Sequence, residues 1–211
     1  MQIALLLYDD LTLLDAIGPS EVLGRIPDAE LTLVSPTGEP VTTDQGLTLL
    51  PSGRIAEVSA PDVVVVPGGH GEERLRDDAR VLDWLRAVDA TSQWTTSVCT
   101  GSLLLGAAGF LEGRRATSHW TALEVLRQFG AEPTLERVAV DGKYVTAAGV
   151  SSGIDMALWL AAQLASDIVA QTIQLGIEYD PQPPFDAGAP HKAPPEAVEY
   201  FRSSSRFANV E

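Results

Sequence analysis

Four consecutive valines, Val63 to Val66, stand between Pro61-Asp62 and the turn Pro67-Gly68-Gly69-His70-Gly71. A strand that is apolar at every position has to be covered on both faces, which is the situation of a parallel sheet packed between helices. The flanking sequence repeats the theme. Ile3 to Tyr8 and Leu31 to Ser35 read as strands, with a helix over Asp15 to Leu23 between them and Gly24 as its stop. Val41-Thr42-Thr43 and Leu47-Thr48-Leu49 flank Asp44-Gln45-Gly46 as a hairpin, and Arg137 to Val140 and Lys143 to Ala147 do the same around Asp141-Gly142. Helices are expected over Arg80 to Val88, Thr121 to Phe129 with Gly130 as stop, Ser152 to Ala165 and Ile168 to Tyr179. A last amphipathic helix follows the proline-rich stretch Pro181 to Pro195. The alternation predicts an α/β fold, one domain over residues 1–211, with a largely parallel sheet sandwiched by helices.

With 211 residues and 45% hydrophobic content the chain can bury one sizeable core. No apolar run is long enough to span a bilayer, and Met1-Gln2-Ile3 enters a strand without a basic leader, so no membrane association is expected. One unpaired cysteine fits a reducing compartment, and the expected location is cytoplasmic. The formal charge of −15 repels polyanions and argues against nucleic acid as a partner. The acidity is spread along the chain, as on a solvated surface.

The sole cysteine marks the candidate site. The strand Gln93 to Val98 runs into Cys99-Thr100-Gly101-Ser102 and then into the apolar helix Leu103 to Ala108. A cysteine at a strand-to-helix turn stands where open α/β sheets build their sites, and the helix N-terminus favours its thiolate. The plain alternative is a small core hydrophobe. Asp15 lies among Leu13, Leu14, Ala16 and Ile17, an apolar setting that raises a carboxyl pKa, although aspartate also commonly caps helices. Spacing alone does not separate those two roles. The Gly68-Gly69 pair can expose backbone N–H groups as an oxyanion hole requires, and is also ordinary turn chemistry.

A rival nucleophile is Ser151, because Gly149-Val150-Ser151-Ser152-Gly153 matches the serine-hydrolase elbow and follows a strand. The histidine such an enzyme needs downstream is only His191, in a proline-rich stretch. A helix cap by Ser151 or Ser152 is therefore the preferred reading. His70, His119 and His191 are widely separated and no paired cysteines occur, so no local metal-binding spacing exists. Dinucleotide and phosphate-loop glycine motifs are absent as well.

Taken together, Asp15-x-x-Gly18-Pro19-x-Glu21-Val22, Val66-Pro67-Gly68-Gly69, Val98-Cys99-Thr100-Gly101, Ala116-Thr117-Ser118-His119-Trp120 and Gly149-Val150-Ser151-x-Gly153-Ile154-Asp155 resemble the ThiJ/PfpI superfamily. The resemblance covers nearly the whole chain, and the segment Gln174 to Gly188 is similar to the isonitrile (isocyanide) hydratase branch. It implies a flavodoxin-like, glutamine amidotransferase-like fold with a nucleophile elbow at Cys99. It further implies a cofactor-independent hydratase, a homodimer with the site close to the subunit boundary, and a small-molecule isonitrile as substrate. Ser151 becomes a capping position in that family. Carried over by position, Cys99 is the nucleophile and Asp15 the facing acid. Thr100 stands where protease-like relatives place a histidine, which argues against proteolysis and glutamine hydrolysis. Regulators sharing this domain append a helix-turn-helix module, for which the sequence after the domain leaves no room.

The chemistry implied is addition of Cys99 to the isonitrile carbon with Asp15 as proton donor or relay, giving a thioimidate that water converts to an N-substituted formamide. Thr100 is expected to offer its backbone N–H and its hydroxyl, and the Gly69 and His70 amides to stabilise charge. Ile17 and Trp120 are candidate apolar walls, or plain core. No metal or organic cofactor is required. Two other readings use the same cysteine: turnover of glyoxal-type carbonyls, and a noncatalytic redox sensor in which Cys99 becomes a sulfinate.

Overall fold

A computed structural model describes residues 1–208. The chain opens with β1 (Gln2–Leu6), α1 (Leu13–Leu23) and β2 (Glu30–Ser35), followed by the short antiparallel pair β3 (Val41–Thr42) and β4 (Thr48–Leu49). Next come β5 (Gly53–Arg54), the valine strand β6 (Val63–Val66), the single turn α2 (Glu72–Leu75) and α3 (Ala79–Asp89). The strand β7 (Trp94–Val98) leads into α4 (Gly101–Ala107), and β8 (Arg115–Ala116) pairs with β9 (Glu132–Pro133). The hairpin β10 (Val138–Asp141) and β11 (Tyr144–Ala147) precedes α5 (Ser152–Leu164), α6 (Asp167–Gly176) and α7 (Pro195–Ser204).

Seven strands form the main sheet in the order β10-β11-β7-β6-β1-β2-β5, parallel throughout except for the pairing of β10 with β11. All four valines of β6 are fully buried, as their unbroken apolar run requires. The chain moves from β1 outward to β2 and then returns to β6 on the other side, so the order reverses between β1 and β6. Open α/β sheets bind ligands at the carboxyl ends of strands beside such a reversal. Here the loops after β1 and β6 are tied to each other: Thr12 N–H donates to Gly68 O at 2.9 Å, and Leu11 pairs with Gly69 as an isolated bridge.

Two helical expectations change in the structure. The segment Leu123–Phe129 is a 3₁₀ helix rather than an α-helix. Its apolar residues Leu123, Leu126 and Phe129 recur every third position, which matches three residues per turn, and Gly130 ends it at φ +72° as expected. The last helix, α7, buries no side chain fully, so its amphipathic pattern does not add to the main core.

Candidate active site

Cys99 follows the last residue of β7 and has φ +58°, a left-handed conformation that costs a non-glycine residue energy. The surroundings hold it there. Its N–H is shared between Ala147 O and Ala148 O at 3.0 Å each, and its carbonyl accepts from Ser102 Oγ and Ser118 Oγ, both at 3.1 Å. Two residues on, a Cβ at Gly101 would overlap Val66 O and Pro67 O, so only glycine lets the start of α4 approach the turn after β6 this closely. The sharp strand-to-helix turn is thereby pressed against the second loop of the site.

Asp15 sits in the first turn of α1 and is fully buried. The N-cap of that helix is Thr12, so the capping alternative for Asp15 is overturned. Its Oδ2 accepts from Gly68 N–H at 2.9 Å, while Oδ1 is buried without a hydrogen-bond partner among the described residues. Burial pushes the carboxyl up to about 7, against the lowering effect of the Gly68 N–H and the Cys99 thiol. The thiol is pushed well above its ordinary value, chiefly by burial and then by the Asp15 charge, although the Thr100 and Val150 N–H groups that face it act the other way. Sequence alone leaves the thiol between a helix terminus that lowers its pKa and a buried Asp15 that raises it, and burial decides the direction. Desolvation outweighs the α4 terminus, and the resting group is a neutral thiol beside a carboxyl that titrates near neutrality.

The cavity at this point has a volume of about 310 Å³. Of the residues expected from sequence, Cys99, Thr100, Gly69 and His70 line it. Their engagements differ from expectation. Thr100 turns its N–H to the thiol, but its hydroxyl accepts from Gly69 N–H at 3.0 Å and so locks the glycine turn. The Gly69 amide is thus occupied, and the backbone donors at the thiol are Thr100 and Val150. Ile17 and Trp120 are absent from the lining: Ile17 is a half-buried residue of α1, and Trp120 packs behind the wall, 5.9 Å from the His119 ring and 5.7 Å from that of Phe201.

Sequence reasoning gave no role to Val150, His119, Phe201 or Arg206, all of which line the cavity. His119 was visible in the His-Trp pair, and its position is decided by Gly149, whose missing side chain admits the imidazole. Burial lowers His119 to about 4, so the ring is neutral at physiological pH, with Nδ1 2.8 Å from Thr121 Oγ1. Tyr8 is a further buried neighbour. Its hydroxyl donates to Pro67 O at 2.7 Å and is pushed well above its ordinary pKa by burial first and by Glu72 and Asp15 next, so it stays protonated.

The serine alternative does not assemble. Ser151 occupies the N-cap position of α5, yet its hydroxyl accepts from Arg137 Nη2 at 3.2 Å and caps no helix N–H; Ser152 Oγ donates to Gly149 O at 3.1 Å. The capping role expected of either hydroxyl is thereby corrected. His191 is exposed. Among the described residues no group of three or more His, Cys, Asp or Glu side chains is placed to hold a metal ion, and no helix is long and apolar enough to cross a membrane.

The chain is 44% identical to the isonitrile hydratase of Pseudomonas putida over 96% of its own length and 89% of that protein. Among solved structures it superposes on a ThiJ/PfpI family protein from Pseudomonas syringae with a TM-score of 0.93 and 39% identity, covering 95% of this chain and 84% of that one. Drosophila melanogaster DJ-1beta shares the fold, with a TM-score of 0.77 at 24% identity over 84% of this chain and 97% of that one. The DJ-1/PfpI family matches residues 1–163, a span that holds the sheet, the Cys99 elbow and Asp15, and the chain belongs to that family.

Proposed function

We propose that this protein is an isonitrile hydratase, a cofactor-independent enzyme that adds water to an isonitrile to give an N-substituted formamide. The observation that carries the reading is the buried pair itself: a neutral Cys99 thiol against an Asp15 carboxyl raised to about 7. The near-full-length similarity to an isonitrile hydratase supports it.

An isonitrile carbon must gain a nucleophile and a proton at the same atom. In the proposed mechanism the Asp15 carboxylate takes the thiol proton as the Cys99 Sγ–C bond forms, then delivers that proton to the same carbon, leaving a neutral thioimidate. The Thr100 and Val150 N–H groups stabilise the sulfur while it carries charge. Asp15, again a carboxylate, removes a proton from water as the water oxygen bonds to the thioimidate carbon, and passes that proton to the nitrogen. Collapse breaks the C–S bond as Asp15 takes the hydroxyl proton of the adduct, which releases the formamide, and Asp15 returns that proton to the expelled thiolate. Summed over both halves, one isonitrile and one water give one formamide. The neutral His119 ring and the apolar walls suit an uncharged substrate.

The reading includes a homodimer and a cytoplasmic location. The homodimer is what the resemblance to the family implies, and the single free cysteine supports the compartment. Sedimentation at micromolar concentration tests the first: a monomer would overturn it.

Formamide production from a simple alkyl or aryl isonitrile, followed by chromatography for wild type, Cys99→Ala and Asp15→Ala, tests the function. Turnover that vanishes in both variants is the expected result. Folded wild type that makes no formamide from any isonitrile overturns the reading; glyoxal turnover or a peroxide-dependent mass increase on Cys99 would then identify the carbonyl or redox alternative.

A further inference from the structure

The helix α7 is unusual in what it touches. None of its side chains is fully buried, so it contributes little to the core. Phe201 of α7 and Ser204 to Phe207 at its end nevertheless line the cavity that holds Cys99. This segment lies beyond residue 163, where the match to the family stops.

Two contacts fix it in place. The Phe201 ring meets those of His119 and Trp120, both at 5.7 Å, and keeps 50% of its surface uncovered, leaving apolar area on a wall of the cavity. Arg206 pairs with Glu72, whose side chain is fully buried and also forms an ion pair with Arg76 at 2.9 Å. The same guanidinium donates to Gly69 O at 3.2 Å and His70 O at 3.3 Å, so the end of α7 is bound to the glycine turn of the site. A buried carboxylate between two arginines satisfies the guanidinium charge, so Arg206 anchors the end of α7, while the Phe201 ring, with those of His119 and Phe207, gives the cavity its aromatic lining.

We propose that Phe201 is a specificity-determining residue of this site: its ring selects isonitriles with a bulky apolar N-substituent, and Arg206 is the positioning residue that holds the ring there through Glu72. The inference rests on the hydratase reading given above. The reacting carbon and nitrogen of any isonitrile occupy only the part of the cavity next to Cys99, and the remainder faces the N-substituent. An apolar substituent large enough to reach Phe201 gains contact that methyl isonitrile does not, and hydrophobic pockets discriminate by roughly tenfold to a few hundredfold on such differences.

Steady-state turnover of methyl and cyclohexyl isonitrile by wild type, Phe201→Ala, Phe201→Leu and Arg206→Gln tests it. Phe201→Ala is expected to lower the cyclohexyl-to-methyl ratio of kcat/KM about tenfold, through a raised KM for the larger substrate, with Phe201→Leu restoring most of the preference. Arg206→Gln is expected to lower the same ratio. If wild type hydrates both isonitriles and the ratio stays within about twofold in Phe201→Ala and Arg206→Gln, the specificity proposal is overturned and the hydratase reading stands. If folded wild type hydrates neither, both are overturned.

Discussion

At the scale of single residues, the behaviour of this site follows from burying a carboxyl and a thiol side by side. The folded state holds the Asp15 proton up to about pH 7, whereas the unfolded chain releases it near its ordinary value of 3.8. Between those values the folded state binds more protons than the unfolded state, so this group makes stability fall as pH rises, with no further change above the folded value. Asp15→Asn keeps an acceptor for Gly68 N–H and removes the titration. Its stability relative to wild type is expected to rise through that window by up to about 4 kcal/mol, as read from urea midpoints at a series of pH values. A flat difference would show that Asp15 does not titrate there. The same substitution removes the charge beside Cys99, so the pH midpoint for alkylation of the thiol is expected to move down, while burial, the larger cause, keeps it above that of a free thiol. In the mechanism Asp15 starts as a carboxylate, so kcat/KM is expected to fall about tenfold per pH unit below about 7. His119 carries no charge in that range and adds no inflection near its ordinary value.

At the scale of elements, the elbow depends on how closely α4 approaches the loop after β6. Gly101→Ala would set a Cβ against Val66 O and Pro67 O, which are backbone atoms and cannot turn aside. The helix start must then lift. We expect a loss of about 1–3 kcal/mol in chemical denaturation, with slower alkylation of Cys99 in the protein that remains folded. Unchanged stability would mean the loop after β6 yields freely. Most elements were legible in the sequence from local pattern: β1 and β6 as apolar strands, β7 as a strand rich in threonine running into Cys99, α1 with Gly24 at its end, and both hairpins through their turn residues. The 3₁₀ winding of Leu123–Phe129 was not, since a three-residue apolar spacing is shared by both helix types until packing selects one.

At the scale of the whole molecule, a formal charge of −15 on 211 residues places the folded chain under self-repulsion. Raising sodium chloride from near zero to about 0.15 M should screen it. A gain of about 1 kcal/mol, or roughly 2–4 °C in Tm, is expected for a chain of this size. A Tm that falls with salt would mean that ion pairs such as Arg206–Glu72 outweigh the repulsion. What the sequence determined by itself is the α/β architecture and the place of Cys99 at the end of a central strand, while Asp15 stood between a site acid and a helix cap until the N-cap of α1 fell on Thr12. The first two depend on local pattern: apolar periodicity and turn chemistry. What only the tertiary structure decided is the protonation of the thiol, the Val150 N–H that faces it, the engagement of the Thr100 hydroxyl with Gly69, and the wall made by Phe201 and Arg206. Each arises where segments distant along the chain meet, and there desolvation and hydrogen bonding act through neighbours that no local pattern names.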